Sequence, residues 1–240
     1  MTKVSVIIPT QNKRNSLQRA VKSVLNQSFI DWELYIVNDS EINVKEYDDS
    51  RIKVLNNKQL KGGSAARNFG IKYAKGDYIA FLDDDDEWES EKLKIQLNEM
   101  EVDNSILSFT GKNIFYNAKF FKYSFNESNL LWILYFYNFV GTTSSIMVLS
   151  KACKSIGGFD ESLSQLQDYD LYLRITKEGK FSGIDKPLLN YYINTSNEHV
   201  SRNWKNFAIS AYKIWLKQKG YRKILFVFGI IITTLQKIKN

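Results

Sequence analysis

Four consecutive aspartates, Asp83 to Asp86, stand directly after the apolar stretch Tyr78 to Leu82. Adjacent carboxylates repel one another, and ionising all of them is unfavourable unless a cation relieves the crowding. Oxygen ligands at that density suit Mg²⁺ or Mn²⁺, which take carboxylates together with substrate phosphates. A metal held there would bind a diphosphate, neutralise a leaving group and orient it. The bland alternative is a solvated charge run in a surface loop. Other groups able to do chemistry are Thr10 in Pro9-Thr10-Gln11, Asp39 in Asn38-Asp39-Ser40, Arg67 after the pair Gly62-Gly63, and the carboxylates of Gln167-Asp168-Tyr169-Asp170. A glycine pair alone is a weak phosphate signal.

The elements that must position these groups alternate between two periods. Val4 to Ile8 is a nearly all-apolar run ended by Pro9, which reads as a strand buried on both faces. Leu17, Ala20, Val21, Val24 and Leu25 fall at helical spacing. Leu34 to Val37 and Ile52 to Leu55 read as two further strands, and Tyr78 to Leu82 as a fourth. Between the last two, Ser64 is expected to cap a helix that Gly76 stops. Strands alternating with helices imply an α/β architecture with a mostly parallel, doubly wound, Rossmann-like sheet. Ligands in such sheets bind beyond the carboxyl ends of the strands. That rule selects Pro9 to Gln11, Asn38 to Ser40, and Asp83 to Asp86.

The aromatic-rich middle suggests strands over Ile106 to Phe109, Ile114 to Tyr116 and Thr142 to Leu149. It also suggests helices over Leu130 to Phe139 and Tyr169 to Lys177. A helix is expected over 203 to 219. Beyond it, Ile224 to Leu235 is a run of twelve uncharged residues between Arg222-Lys223 and Lys237. A membrane-spanning helix needs ~20 apolar residues, so an interfacial helix or one packed on the body fits better.

Composition narrows the class. The chain has 240 residues, 44% hydrophobic and 25% charged, an ordinary globular balance. Its one cysteine, Cys153, allows no internal disulfide and no cysteine metal cluster. The N-terminus lacks a signal-peptide pattern, so the protein reads as cytoplasmic. The net charge of +7 is uneven: nine of the 33 Lys and Arg follow Glu198, where no Asp or Glu occurs, leaving 24 basic against 26 acidic residues before it. The basic tail suits an anionic membrane surface, and its uncharged run suits lipid better than nucleic acid.

Six segments, in order, resemble the motifs of family 2 glycosyltransferases. Val4 to Asn12 is similar to that family's opening strand. Leu34 to Ser40 resembles its second strand, which ends in an acidic pair. Gly62 to Gly70 resembles its Gly-x-x-x-Ala-Arg-Asn-x-Gly element, and Phe81 to Trp88 its DXD motif. Gly157 to Glu161 and Gln167 to Arg174 resemble its acceptor-side motifs. The resemblance spans roughly residues 3 to 195. It implies a GT-A fold with a nucleotide-sugar-binding half over 1–100, an acceptor-binding half over 101–202, and C-terminal helices over 203–240.

The resemblance also implies roles. Pro9, Thr10, Gln11 and Asp39 would contact the nucleoside, and Arg67 would lie near the base or the phosphates. Asp83 would sit by the ribose and sugar side of the donor, Asp84 would belong to the nucleotide-binding set, and Asp85 would be the principal ligand of Mn²⁺ or Mg²⁺. Asp168 aligns with the catalytic base, with Asp170 as a rival that more readily orients a neighbour or caps the helix. His199 and Arg202 fall where relatives have a loop that folds over the donor, so a contact with the diphosphate or metal competes with a plain surface position. Asn38 and Gln167 depart from the family, which often has Asp and Glu there. The implied activity is inverting transfer from a nucleotide-sugar, UDP-linked in most relatives, to a hydroxyl of a glycan or lipid-linked acceptor. One general base and one stabilised leaving group suffice for it. The expected location is the inner face of the cell membrane, with a dimer through the C-terminal helices as a further option. A nucleotidyltransferase would need a Gly-rich basic loop after the first strand, where Pro9-Thr10-Gln11-Asn12 stands instead.

Overall fold

The computed structural model describes residues 2–11, 14–116, 119–123, 130–193 and 204–239. The chain runs β1 (Val4–Thr10), α1 (Arg14–Leu25), β2 (Trp32–Asn38), β3 (Ile52–Asn56), α2 (Gly62–Tyr73), β4 (Tyr78–Phe81), β5 (Glu87–Trp88) and α3 (Lys92–Asp103). It continues through β6 (Leu107–Tyr116), β7 (Lys119–Tyr123), α4 (Leu130–Phe136), a 3₁₀ turn (Thr143–Ser145), β8 (Ile146–Leu149) and α5 (Ser150–Ser155). Last come α6 (Gln167–Ile175), β9 (Phe181–Ile193), α7 (Trp204–Lys217) and α8 (Tyr221–Lys239).

One sheet has the order β3-β2-β1-β4-β8-β6-β9-β5, with β7 paired to β6. The strands β3, β2, β1 and β4 are parallel, as the alternating pattern predicts. Beyond β4 the sheet becomes mixed. β8 runs antiparallel to β4 and β6, while β6 and β9 pair in parallel.

Both faces of the parallel half are covered, which is why its strands read as continuous apolar runs. Val4, Val6 and Ile8 point into one core with Leu17, Val21, Leu93 and Leu97 from α1 and α3. Ile7, Tyr35 and Val37 point into the other, with Ile71 from α2 and Leu171, Tyr172 and Ile175 from α6. Burying each such aliphatic side chain contributes roughly 1.5–3 kcal/mol.

Several local expectations shift. Leu107–Tyr116 form one long strand instead of two, kinked where its pairing with β9 slips around Thr110, Gly111 and Lys112. Thr142 to Ser145 is a turn, because the Thr142 side chain accepts the amide of Ser144 and starts a 3₁₀ bend. Ser64 lies inside α2 instead of capping it. That helix starts at Gly62, whose φ of +82° needs a residue without Cβ.

Candidate active site

The carboxyl ends of β1, β2 and β4 lie side by side and place Thr10, Asp39 and Asp83 along one rim. The amide of Asp39 donates to the carbonyl of Thr10 at 3.2 Å. Asp39 Oδ2 accepts the Gly62 amide at 3.1 Å, so the left-handed glycine turns α2 toward this carboxylate. The neighbouring Asn38 is fully buried and donates its amide to Asn56 Oδ1 at 2.8 Å and to the Ile42 carbonyl at 2.9 Å. An Asp could make neither donation, which accounts for this departure from the family pattern.

The four aspartates diverge. Asp83 is ion-paired with Arg67 of α2 and lies within 3.4 Å of the hydroxyls of Thr142 and Thr143. Asp84 accepts the Thr10 hydroxyl at 2.6 Å. The Asp85 backbone carbonyl accepts from Arg19 at 2.7 Å. Asp86 is fully buried with neither carboxylate oxygen in a hydrogen bond of normal geometry. Burial first, then the Asp83 charge, pushes its carboxyl well above the usual range, with Ser144 opposing. Trp88 packs beneath the loop and donates its ring N–H to the Ser144 carbonyl at 2.8 Å. Among the described residues no three His, Cys, Asp or Glu side chains converge on a metal-sized position.

Asp168 occupies the first turn of α6. Leu166, just before that helix, has φ +59°, a left-handed conformation that costs a non-glycine residue about 1–2 kcal/mol. Burial raises the Asp168 carboxyl above its ordinary value, while the Tyr169 amide and the Arg67 charge oppose the shift. Gln167 donates to the Leu163 carbonyl at 2.8 Å, a bond that a Glu would lose.

Two adjoining cavities open beside these groups. One, of about 670 Å³, is lined by Pro9, Thr10, Gln11, Asp39, Arg67, Asp83, Asp84 and Asp85. The other, of about 420 Å³, is lined by Asp168, Lys112, Thr142, Thr143, Tyr191 and Phe207. Arg67, Asp83, Ser164 and Gln167 border both, so the two form one cleft. Asp170 lines neither. It is almost fully buried between Arg174 at 2.7 Å and Lys217 at 2.7 Å, as a structural anion. His199 and Arg202 lie outside the described residues.

Sequence reasoning did not single out Lys112 and Tyr191, which the pairing of β6 with β9 brings together. Burial pushes the Lys112 ammonium below its ordinary range, and the Asp86 and Asp168 charges offset part of this. It also passed over Lys61 and Ser162, and gave Glu161 a place in a motif but no role; all three line the larger cavity. The Asn68 side chain holds the loop of the last two by bonding both backbone groups of Phe159.

A family model described as glycosyl transferase family 2 matches residues 5–156. The Escherichia coli protein named UDP-Glc:alpha-D-GlcNAc-diphosphoundecaprenol beta-1,3-glucosyltransferase WfgD is 30% identical over 205 residues, covering 83% of this chain and 80% of that one. The amylovoran biosynthesis glycosyltransferase AmsB of Erwinia amylovora is 30% identical over 212 residues, covering 80% and 70%. Among solved structures, S. aureus TarS 1-349 in complex with UDP-GlcNAc aligns with a TM-score of 0.74 at 20% identity, covering 94% of this chain and 71% of that one. That likeness bears on the fold alone. The chain belongs to glycosyltransferase family 2 and has the GT-A fold.

Proposed function

We propose that this protein transfers a hexosyl or N-acetylhexosaminyl group, with inversion, from a UDP-sugar to a hydroxyl of a lipid-linked glycan. The observation that carries the reading is the single cleft. Thr10, Asp39, Asp83 and Asp85 line one end and Asp168 lines the other, with Arg67 and Gln167 between. WfgD, by its name, uses UDP-Glc and a diphosphoundecaprenol-linked acceptor. AmsB is named for polysaccharide biosynthesis, and the TarS structure contains UDP-GlcNAc.

The nucleoside lies against Thr10 and Asp39, and the diphosphate lies toward Arg67 and Asp85. The acceptor enters the smaller cavity beside Asp168. Its oxygen attacks the anomeric carbon as the bond from that carbon to the UDP oxygen breaks. Asp168 takes the hydroxyl proton, and UDP leaves with the bonding electron pair. A carboxyl raised toward neutrality is better matched to this proton than an exposed aspartate. Arg67 contributes positive charge near the departing phosphates.

The acidic loop fits a cation that arrives with the diphosphate. Asp85 lines the same cavity as Asp83 and Asp84, which bond Arg67 and Thr10, and it is the carboxylate we assign to the cation. This suits Mg²⁺ or Mn²⁺, which bind through one or two carboxylates plus substrate phosphates. When bound, the ion would neutralise charge developing on the leaving diphosphate.

Melting the protein with UDP, GDP, CDP and dTDP, with and without Mn²⁺, tests the donor assignment. Stabilisation by UDP alone, dependent on the cation and lost in Asp85→Ala, is expected. Equal stabilisation by all four nucleotides would refute a uracil-specific site.

A further inference from the structure

We infer that α7 and α8 form a docking face for an anionic lipid bilayer, which holds the acceptor cavity against the membrane that carries its substrate. The acceptor part of this inference rests on the transferase reading above; the docking part does not.

Of the fifteen large apolar side chains exposed among the described residues, nine lie on these two helices. On α7, Ile209, Tyr212 and Leu216 recur at helical spacing. On α8, Ile224, Phe228 and Ile231 do the same. Exposed apolar stripes on two helices that pack against each other mark a candidate interaction surface. The two helices hold seven Lys and Arg and no Asp or Glu. Lys217 turns inward to Asp160 and Asp170. Lys205, Lys213, Arg222 and Lys223 remain beside these stripes, with no acidic residue on either helix. This matches the chemistry of an anionic lipid interface, where the rings and aliphatics insert and the cations stay among the headgroups. A second copy of the same face would instead bring like charges together.

The face does not span. Among the described residues no helix is long and apolar enough to cross a membrane. The opposite side of α8 is committed to the body. Phe226 stacks on Tyr169 of α6 with ring centres 5.7 Å apart, and a Cβ at Gly229 would collide with the Phe136 carbonyl of α4. The outward stripe is therefore the side of α8 opposite its packing contacts.

The helix α7 also links this surface to the site. Phe207 lines the cavity that contains Asp168, and the Ser210 hydroxyl accepts the Gln165 amide at 3.3 Å. The wall of the acceptor cavity is thus the same helix that presents Ile209, Tyr212 and Leu216. A sugar carried on a lipid headgroup can reach Asp168 while its tail remains in the bilayer.

Flotation of the full chain with vesicles of phosphatidylcholine, and with equimolar phosphatidylcholine and phosphatidylglycerol, tests the docking. The wild type should float with the anionic vesicles and not with the neutral ones. The double variant Ile224→Glu/Phe228→Glu alters exposed positions and should keep its melting temperature and its UDP binding. Its partition should fall at least about tenfold, since each apolar side chain lost from the interface is worth an order of magnitude or more. Wild-type protein that ignores anionic vesicles, or a double variant that floats as well as the wild type, would overturn the inference. So would a wild-type dimer in lipid-free buffer that the double variant dissolves, because the face would then be a self-interface. Retained UDP binding in the variant separates loss of docking from any failure of the transferase reading.

Discussion

Lys217, the last residue of α7, places its ammonium 2.7 Å from Asp170 Oδ1 and 2.6 Å from Asp160 Oδ2. One side chain of the C-terminal region thereby clamps the helix that carries Asp168 and the loop that precedes it. Asp170 is 1% exposed and also binds Arg174, so the cluster is a largely desolvated network. Lys217→Met should destabilise the fold by about 2 kcal/mol, the usual worth of a hydrogen bond to a charged group. Urea denaturation with an unchanged slope checks it.

The same clamp has a pH signature. Burial alone would raise the Asp160 carboxyl, but the Lys217 and Ser162 bonds outweigh it and hold the group at about 2, against 3.8 for a free side chain. A carboxyl depressed on folding adds stability above its unfolded value and loses it as pH falls through its folded value. Stability should therefore decline between pH 3.8 and about 2. That part of the decline should flatten in Lys217→Met, as read by melting temperature against pH.

Asp168 behaves in the opposite sense. Burial raises its carboxyl, and a base works only when ionised. Transfer should fall as pH drops through a value above 3.8, so the acid limb of kcat/KM should lie above the ordinary aspartate range. A limb at or below that range would remove Asp168 from the role.

Gly229 lets the backbone of α8 touch the Phe136 carbonyl of α4. Gly229→Val should force the helices apart and cost about 1–3 kcal/mol, the range for overpacking a tight contact. Thermal unfolding measures it. An unchanged melting temperature would mean that α8 does not dock on α4.

Much of the parallel half was legible because its strands are continuous apolar runs ending in polar residues. Thr10, Asp39, Asp83 and Asp85 sit at those ends, and the crevice rule finds them without further information. The second half was harder. β9 is interrupted by Gly183 and by Asp185-Lys186-Pro187, which break the period-two pattern where the strand slips against β6. Lys112 and Tyr191 lie far apart in sequence and meet only through that pairing. Asn38 and Gln167 could be seen to depart from the family pattern, but the carbonyls their amides bond became visible only in three dimensions. No sequence signal marks the left-handed turn at Leu166.

The most direct test pairs UDP binding with UDP release from UDP-sugars in Asp168→Asn, using membrane extract as the acceptor source. Asp168 lines only the acceptor end of the cleft, so UDP affinity should stay close to that of the wild type. Release dependent on extract should drop by about 10²–10⁴-fold, the range for losing a general base. A variant that binds UDP and turns over at the wild-type rate would contradict the assignment of Asp168 and of the cleft built around it.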